Sequence, residues 1–406
     1  MERRTPNHPL PKDDMTRPRP LSTFSSTSTE ADILAPAALP KIGPFPFNTN
    51  PEPAVHHENG FPKNEVMMDL PPEGGMQAWL TVAGSFCITT AVYGLSNSVG
   101  VIQSYWAQYH LSSFAVQDIA WISGANIFLC LFLGVQVGPW FDKFGPRWLL
   151  MTGSLVYLSG LVGLGFLPED SGANVRQGLR APRTMYSLLM LLWGVVMGSG
   201  AALCCTVALS VLAHWFEKKR GLAAGIVFVS SSVGGAVFPL VLRTTLPKMG
   251  WAWSMRILTL IVASLLSLGN ILIKGRIKGQ RGSGAINFKC FRDASFLWTT
   301  VGCFSECLVD ADVGSGFGRL AAGAISDKIG RFNTMMLTTV FSIVTTFAVW
   351  MLVEVHRMWL LYLFATLFGF GTGSVISIGP VCVGQLTVPS KFGQYYGTSY
   401  SVVSFS

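Results

Sequence analysis

Formal charge is scarce in this 406-residue chain, at 12% of residues, where a soluble domain carries about 25%. With 50% hydrophobic residues and a mean hydropathy of +0.45, the scarcity argues against an ordinary soluble globule. A disulfide framework is also missing. Of the eight cysteines, Cys87, Cys130, Cys204, Cys205 and Cys382 lie inside apolar runs, where a thiol behaves as a small hydrophobe. Cys303 and Cys307 are one helical turn apart with no nearby histidine, which makes a poor metal site. No metal or cofactor is expected. H-E-x-x-H, G-x-S-x-G and a paired membrane carboxylate are all absent, so an enzyme is not expected. No N-x-S/T sequon occurs, and no apolar stretch follows the opening MERR, so no signal peptide is expected there. The run GFGTGS at 369–374 has no strand before it and lies in an apolar stretch. It reads as close helix packing, not a dinucleotide loop.

Long apolar runs are what the chain has instead. Six occupy 76–102, 119–141, 148–167, 185–216, 221–246 and 253–273. Each has about the 20 residues that carry a helix across a bilayer core about 30 Å thick. Further apolar stretches follow at 335–353 and 358–383. The net charge of +8 does not mark a nucleic-acid binder, because its cations sit between the spans. They cluster around Lys143 and Arg147, at Lys218, Lys219 and Arg220, over 274–292, and at Lys328 and Arg331. These are alternate loops, as expected of cytoplasmic loops; Arg176, Arg180 and Arg183 run against the pattern. Residues 1–70 are rich in Pro, Ser, Thr and Asn and read as a disordered cytoplasmic tail. The expected organisation is that tail, a six-helix bundle at 71–274, a basic cytoplasmic loop at 275–293, and a second, incomplete bundle at 294–406.

One charged turn is spelled twice. GPWFDKFGPR runs over 138–147, and GAISDKIGR over 323–331. Each lies between apolar stretches at the matching place of its half, which marks an internal repeat. Gly138 and Gly323 permit close helix contact. Asp142 and Asp327 stand at helix ends, where a carboxylate pairs with a cation or a helix N-terminus. Gly145 and Gly330 make the turn tight, and Lys143, Arg147, Lys328 and Arg331 complete it. The pattern resembles the G-x-x-x-D-K/R-x-G-R loop signature of the major facilitator superfamily. The resemblance implies an all-α membrane protein of two six-helix repeats, in which the turns latch the cytoplasmic side in one state and release it in another.

Two further stretches are similar to the monocarboxylate-transporter-like branch, especially its fungal members. EGGMQAW supplies Glu73, Gly74, Gly75 and Trp79, and HWFEKKRGLAAG supplies Trp215, Phe216, Lys218, Lys219, Arg220 and Gly225. The resemblance implies a secondary carrier of a small organic solute, a monocarboxylate or other anion, working by alternating access in the plasma or vacuolar membrane. Its partners are the solute, a coupling proton and the lipid bilayer, with no nucleic acid. An intramembrane ionisable residue is a functional candidate, and Arg319 is the clearest one. It would meet an anionic solute with a planar fork of donors, or else belong to the latch near Asp327. Asn97, Tyr93, Trp121 and Phe238 are candidate cavity residues. Asn97 and Ser315 stand where animal monocarboxylate carriers have lysine and aspartate, so coupling and cargo stay open.

The second half is short. The family would place two spans within 295–326: two helices there would be too short for the bilayer, with Asp310 and Asp312 at a hairpin tip, and a single span would set both aspartates mid-membrane, so about 9–11 spans are expected in all where the family has twelve. The alternative reading is a truncated membrane protein that does not transport and has at most an interaction role.

Overall fold

The computed structural model describes residues 71–167, 182–276, 312–349, 358–387 and 391–404. Among these residues every regular element is a helix. The tail at 1–70, most of the basic loop and the stretch 295–311 lie outside the described residues, and so does Asp310.

The first expected span is α1 (Met76–Asn97) and α2 (Val99–Tyr105), closed by a π-helical turn at Trp106–His110. The second is α3 (Val116–Phe132) and α4 (Gly134–Phe144), and the third is α5 (Pro146–Gly165). The fourth strings together α6 (Pro182–Leu189), a π-helical stretch (Met190–Met197), α7 (Gly198–Ser210) and a 3-10 turn (Val211–His214). The fifth and sixth are the two arms of α8 (Arg220–Leu272), which folds back at Gly250, φ 74°. Then come α9 (Asp312–Ile329), α10 (Arg331–Val349), α11 (Met358–Gln385) and α12 (Phe392–Val403). Each of the six apolar runs before the basic loop is thus a helix or helix arm.

Among the described residues, six helical stretches are long and apolar enough to cross a bilayer, counting all of α8 as one. Their outer faces stay apolar: Leu155, Leu260 and Ile271 are each about two-thirds exposed or more. Water would penalise such a surface, and lipid does not. α9 and α10 fall outside that set. α9 carries Arg319, Asp327 and Lys328, and α10 is rich in threonine.

One apolar core lies within α1–α8, around Trp106, Tyr157, Met197, Trp251 and Leu258. The Trp251 indole N–H donates to the Leu164 carbonyl at 2.8 Å, so its polar edge is satisfied. A second core joins the first group of helices (α1–α8) to the second (α9–α12). Phe216, Ala224 and Phe228 pack there with Val381, Phe392, Tyr396 and Tyr400. The helices that meet across this seam include α12 with α4, α3 and α7, and α8 with α9 and α11.

Candidate functional site

The first charged turn ends α4. Gly145 takes φ 76°, and α5 begins at Pro146, where a ring-fixed φ suits the first helical position. Asp142, one turn earlier, is buried at 7% exposure. Its carboxylate accepts the amide of Gly393 at 3.3 Å and that of Gln394 at 2.9 Å. Both belong to the first turn of α12, whose amides have no acceptor within the helix. Gly138 lies against the Gly393 carbonyl, so closely that a Cβ would overlap it. The second turn repeats the arrangement. Gly330 takes φ 103°, and Asp327 accepts the amides of Gly221 and Leu222, each at 2.9 Å. These are the first turn of α8, and Gly323 packs on the Gly221 carbonyl. Each turn therefore holds a helix N-terminus of the other group, and the positive end of that helix favours the carboxylate.

A third carboxylate shares the start of α8. Glu73 accepts the amides of Glu217 at 2.9 Å, Lys218 at 2.7 Å and Lys219 at 3.3 Å. The chain reverses at Glu73, φ 56°, to aim it there. Nearby, Trp79 meets Phe216 edge to face at 5.4 Å, and the Trp215 indole donates to the Lys274 carbonyl at 2.9 Å. The α8 N-terminus is thus held by Glu73 of its own group and by Asp327 of the other. Arg331 donates to the Glu217 carbonyl. Arg220 is buried, and its guanidinium lies over the Phe392 ring at 5.0 Å.

About 12 Å along α9 from Asp327, at 1.5 Å per residue, Arg319 is buried at 3% exposure. Its Nη1 donates to the Phe228 carbonyl at 3.0 Å and to the hydroxyls of Ser231 and, at 3.3 Å, Ser232. Ser315 meets the same Ser232 hydroxyl at 3.4 Å. Two turns inside Asp142 there is a small cavity of about 10 Å³, room for about one water. The first group lines it with Tyr93, with Cys130, Leu131 and Gly134, and with Cys205 and Thr206. The second group contributes Tyr396 and Tyr400.

A family model described as the Major Facilitator Superfamily matches residues 80–309. The chain belongs to the major facilitator superfamily. It is 30% identical over 374 residues to the MFS transporter asaE of Aspergillus flavus, covering 84% of this chain and 80% of that protein. It is 28% identical over 447 residues to the riboflavin transporter MCH5 of Saccharomyces cerevisiae, covering 97% and 82%. Among solved structures, it matches a bacterial homologue of the iron transporter ferroportin in an outward-facing state, with a TM-score of 0.63. That match has 13% identity and covers 81% of this chain and 89% of that one, and it is a likeness of fold.

In this facilitator, the residues expected from the sequence fall into three sets. Gly138, Asp142, Gly145, Gly323, Asp327, Gly330 and Arg331 meet at the two turns as described, while Lys143, Arg147 and Lys328 are exposed. Glu73, Trp79, Phe216 and the amides of Lys218 and Lys219 join the start of α1 to that of α8, Trp215 bonds to Lys274 just past the end of α8, and Gly225 packs on the Arg319 carbonyl. Of the cavity candidates, Tyr93 lines the cavity. Asn97 donates to the Ser231 carbonyl at 3.4 Å, beside the Arg319 contacts. Trp121 is 69% exposed and Phe238 is packed in the core of the first group, and neither lines the cavity. Tyr396 and Tyr400 were not expected. Their signal is aromatic residues four apart at Phe392, Tyr396 and Tyr400, which places them on one helix face.

Proposed function

We propose that this facilitator carries a small organic solute across its membrane by alternating access, rocking bundles 71–274 and 294–406 about the cavity between them. One observation carries the reading: each of two repeated carboxylates is hydrogen-bonded to a helix N-terminus of the opposite group. Contacts of this kind stabilise one arrangement of two bodies and are absent from another, as a gate requires. The alternate placement of basic loops supports a cytoplasmic N-terminus and cytoplasmic turns. The membrane, plasma or vacuolar, and the kinship with monocarboxylate carriers rest on the sequence resemblance. Arg319, a cation buried in the seam, gives its Nη1 hydrogens to Phe228, Ser231 and Ser232. This favours a role as a tie between the groups over a receptor waiting for a solute carboxylate.

Side-specific labelling tests the reading without a known solute. Thr206→Cys, with Cys130 and Cys205 replaced by serine, places one reactive thiol in the cavity. With both latches intact, a membrane-impermeant thiol reagent is expected to reach it from the face opposite the turns. With Asp142→Asn and Asp327→Asn added, labelling from the turn face is expected to rise. Labelling from the same side in both proteins contradicts alternating access.

A further inference from the structure

We propose that the cavity behind the latch takes a flat, uncharged aromatic solute. The proposal rests on the carrier reading and adds the class of its cargo. Tyr93, Tyr396 and Tyr400 bring three phenol rings to the cavity from both helical groups, with Thr206, Cys130 and Cys205 between them. Tyr396 and Tyr400 lie 4.4 Å apart, and Phe392 extends the series at 5.7 Å from Tyr396. On the facing side Tyr93 stacks with Phe228 at 6.4 Å. Such faces favour offset or edge-on contact with another ring, while hydroxyls give its polar edge a partner. None of the eight lining residues carries a formal charge. An ionised solute would leave water without a counter-charge there, which is strongly unfavourable. Neither Arg319 nor Arg220, both buried at the seam, is among the lining residues, and the Arg319 Nη1 is bonded to α8.

In this closed arrangement the space is only about 10 Å³, room for about one water, so a solute is admitted only as the two groups part. Because the tyrosines come from opposite groups, a ring held between them touches both bodies. A solute bound in this way biases their relative position, as a carrier's cargo must.

The test compares two probes that differ only in charge. Coumarin-3-carboxamide is neutral and coumarin-3-carboxylate is anionic; both are flat and nearly equal in size. Binding is measured on the full chain in lipid nanodiscs. The carboxamide is expected to bind at least about tenfold more tightly, a gap of one decade in Kd. Tyr396→Ala and Tyr400→Ala are each expected to weaken it roughly 3–10-fold, the range of a lost aromatic pair. Tyr400→Phe keeps the ring and is expected to retain most of the affinity, which separates lost stacking from misfolding. Tyr362→Ala, at an exposed tyrosine, is expected to change nothing. Tighter binding of the carboxylate, an effect absent in both alanine variants, or failure of either probe to bind overturns the assignment. The Thr206→Cys labelling uses no solute, so the carrier reading is judged separately.

Discussion

Asp142 and Asp327 make the same pair of contacts in different surroundings. Asp142 is 7% exposed, whereas Asp327 is half-buried. Asparagine at either site accepts from one amide and turns an NH₂ toward the other. At Asp327, water can replace the lost acceptor. At Asp142 the orphaned amide stays dry, and an unsatisfied buried donor costs more than a hydrated one. Asp142→Asn is therefore expected to lower the closed-to-open ratio roughly 5–30-fold, the effect of about 1–2 kcal/mol, and Asp327→Asn to lower it less. Inter-helix distances measured by spin labels check the order, and an equal or reversed effect contradicts it. Arg319→Met addresses another residue. If Arg319 ties the groups, removing it leaves the Phe228 carbonyl without its donor, and the closed fraction falls severalfold. If it serves only an anionic solute, the closed fraction without solute is unchanged.

Among the elements, the repeated turn was legible in advance because its residues do local work that spacing reveals. A glycine one turn before an aspartate, followed by a glycine with positive φ, reads as a close crossing, a cap and a sharp reversal. The apolar runs likewise announced their helices, because a membrane span needs length and apolarity more than periodicity. What the turns grip was not legible, since residues 142 and 393 meet only through tertiary packing. Tyr396 and Tyr400 were missed for the same reason: α12 reads as an apolar fragment until it lies against α3 and α7. Trp121 and Phe238 are plausible cavity residues by type, but their positions put one on an exposed face and the other in a core. The crossing of α4 and α12 makes its own prediction. Gly138→Val drives a branched side chain into the Gly393 backbone. Overpacking of this kind costs about 1–3 kcal/mol, so the closed state is expected to be lost even with Asp142 intact. Gly124→Ala meets nothing within 4 Å and is expected to leave the closed state as it is.

At the scale of the whole molecule, the proposed carrier reading has three carboxylates divide the work of closing one end. Glu73 holds the start of α8 from within its own group, and Asp327 holds it from the other. Asp142 does the same for α12 across the opposite side of the seam. The apolar cluster from Phe216 to Tyr400 seals the space between them. When the halves part, Glu73 still holds the amides of Glu217, Lys218 and Lys219 just ahead of α8, while those of Gly221 and Leu222 pass from Asp327 to water. The most direct test of this gate is a pair of distances by pulsed electron spin resonance, in a cysteine-depleted full chain held in lipid nanodiscs. One pair labels Lys218→Cys and Lys328→Cys, the other Lys143→Cys and Lys391→Cys, all exposed positions flanking the two latches. Alternating access predicts a short and a long population for each pair. It also predicts that both pairs shift together toward the long one in Asp142→Asn. A single distance that is unchanged in the variant would contradict the gate.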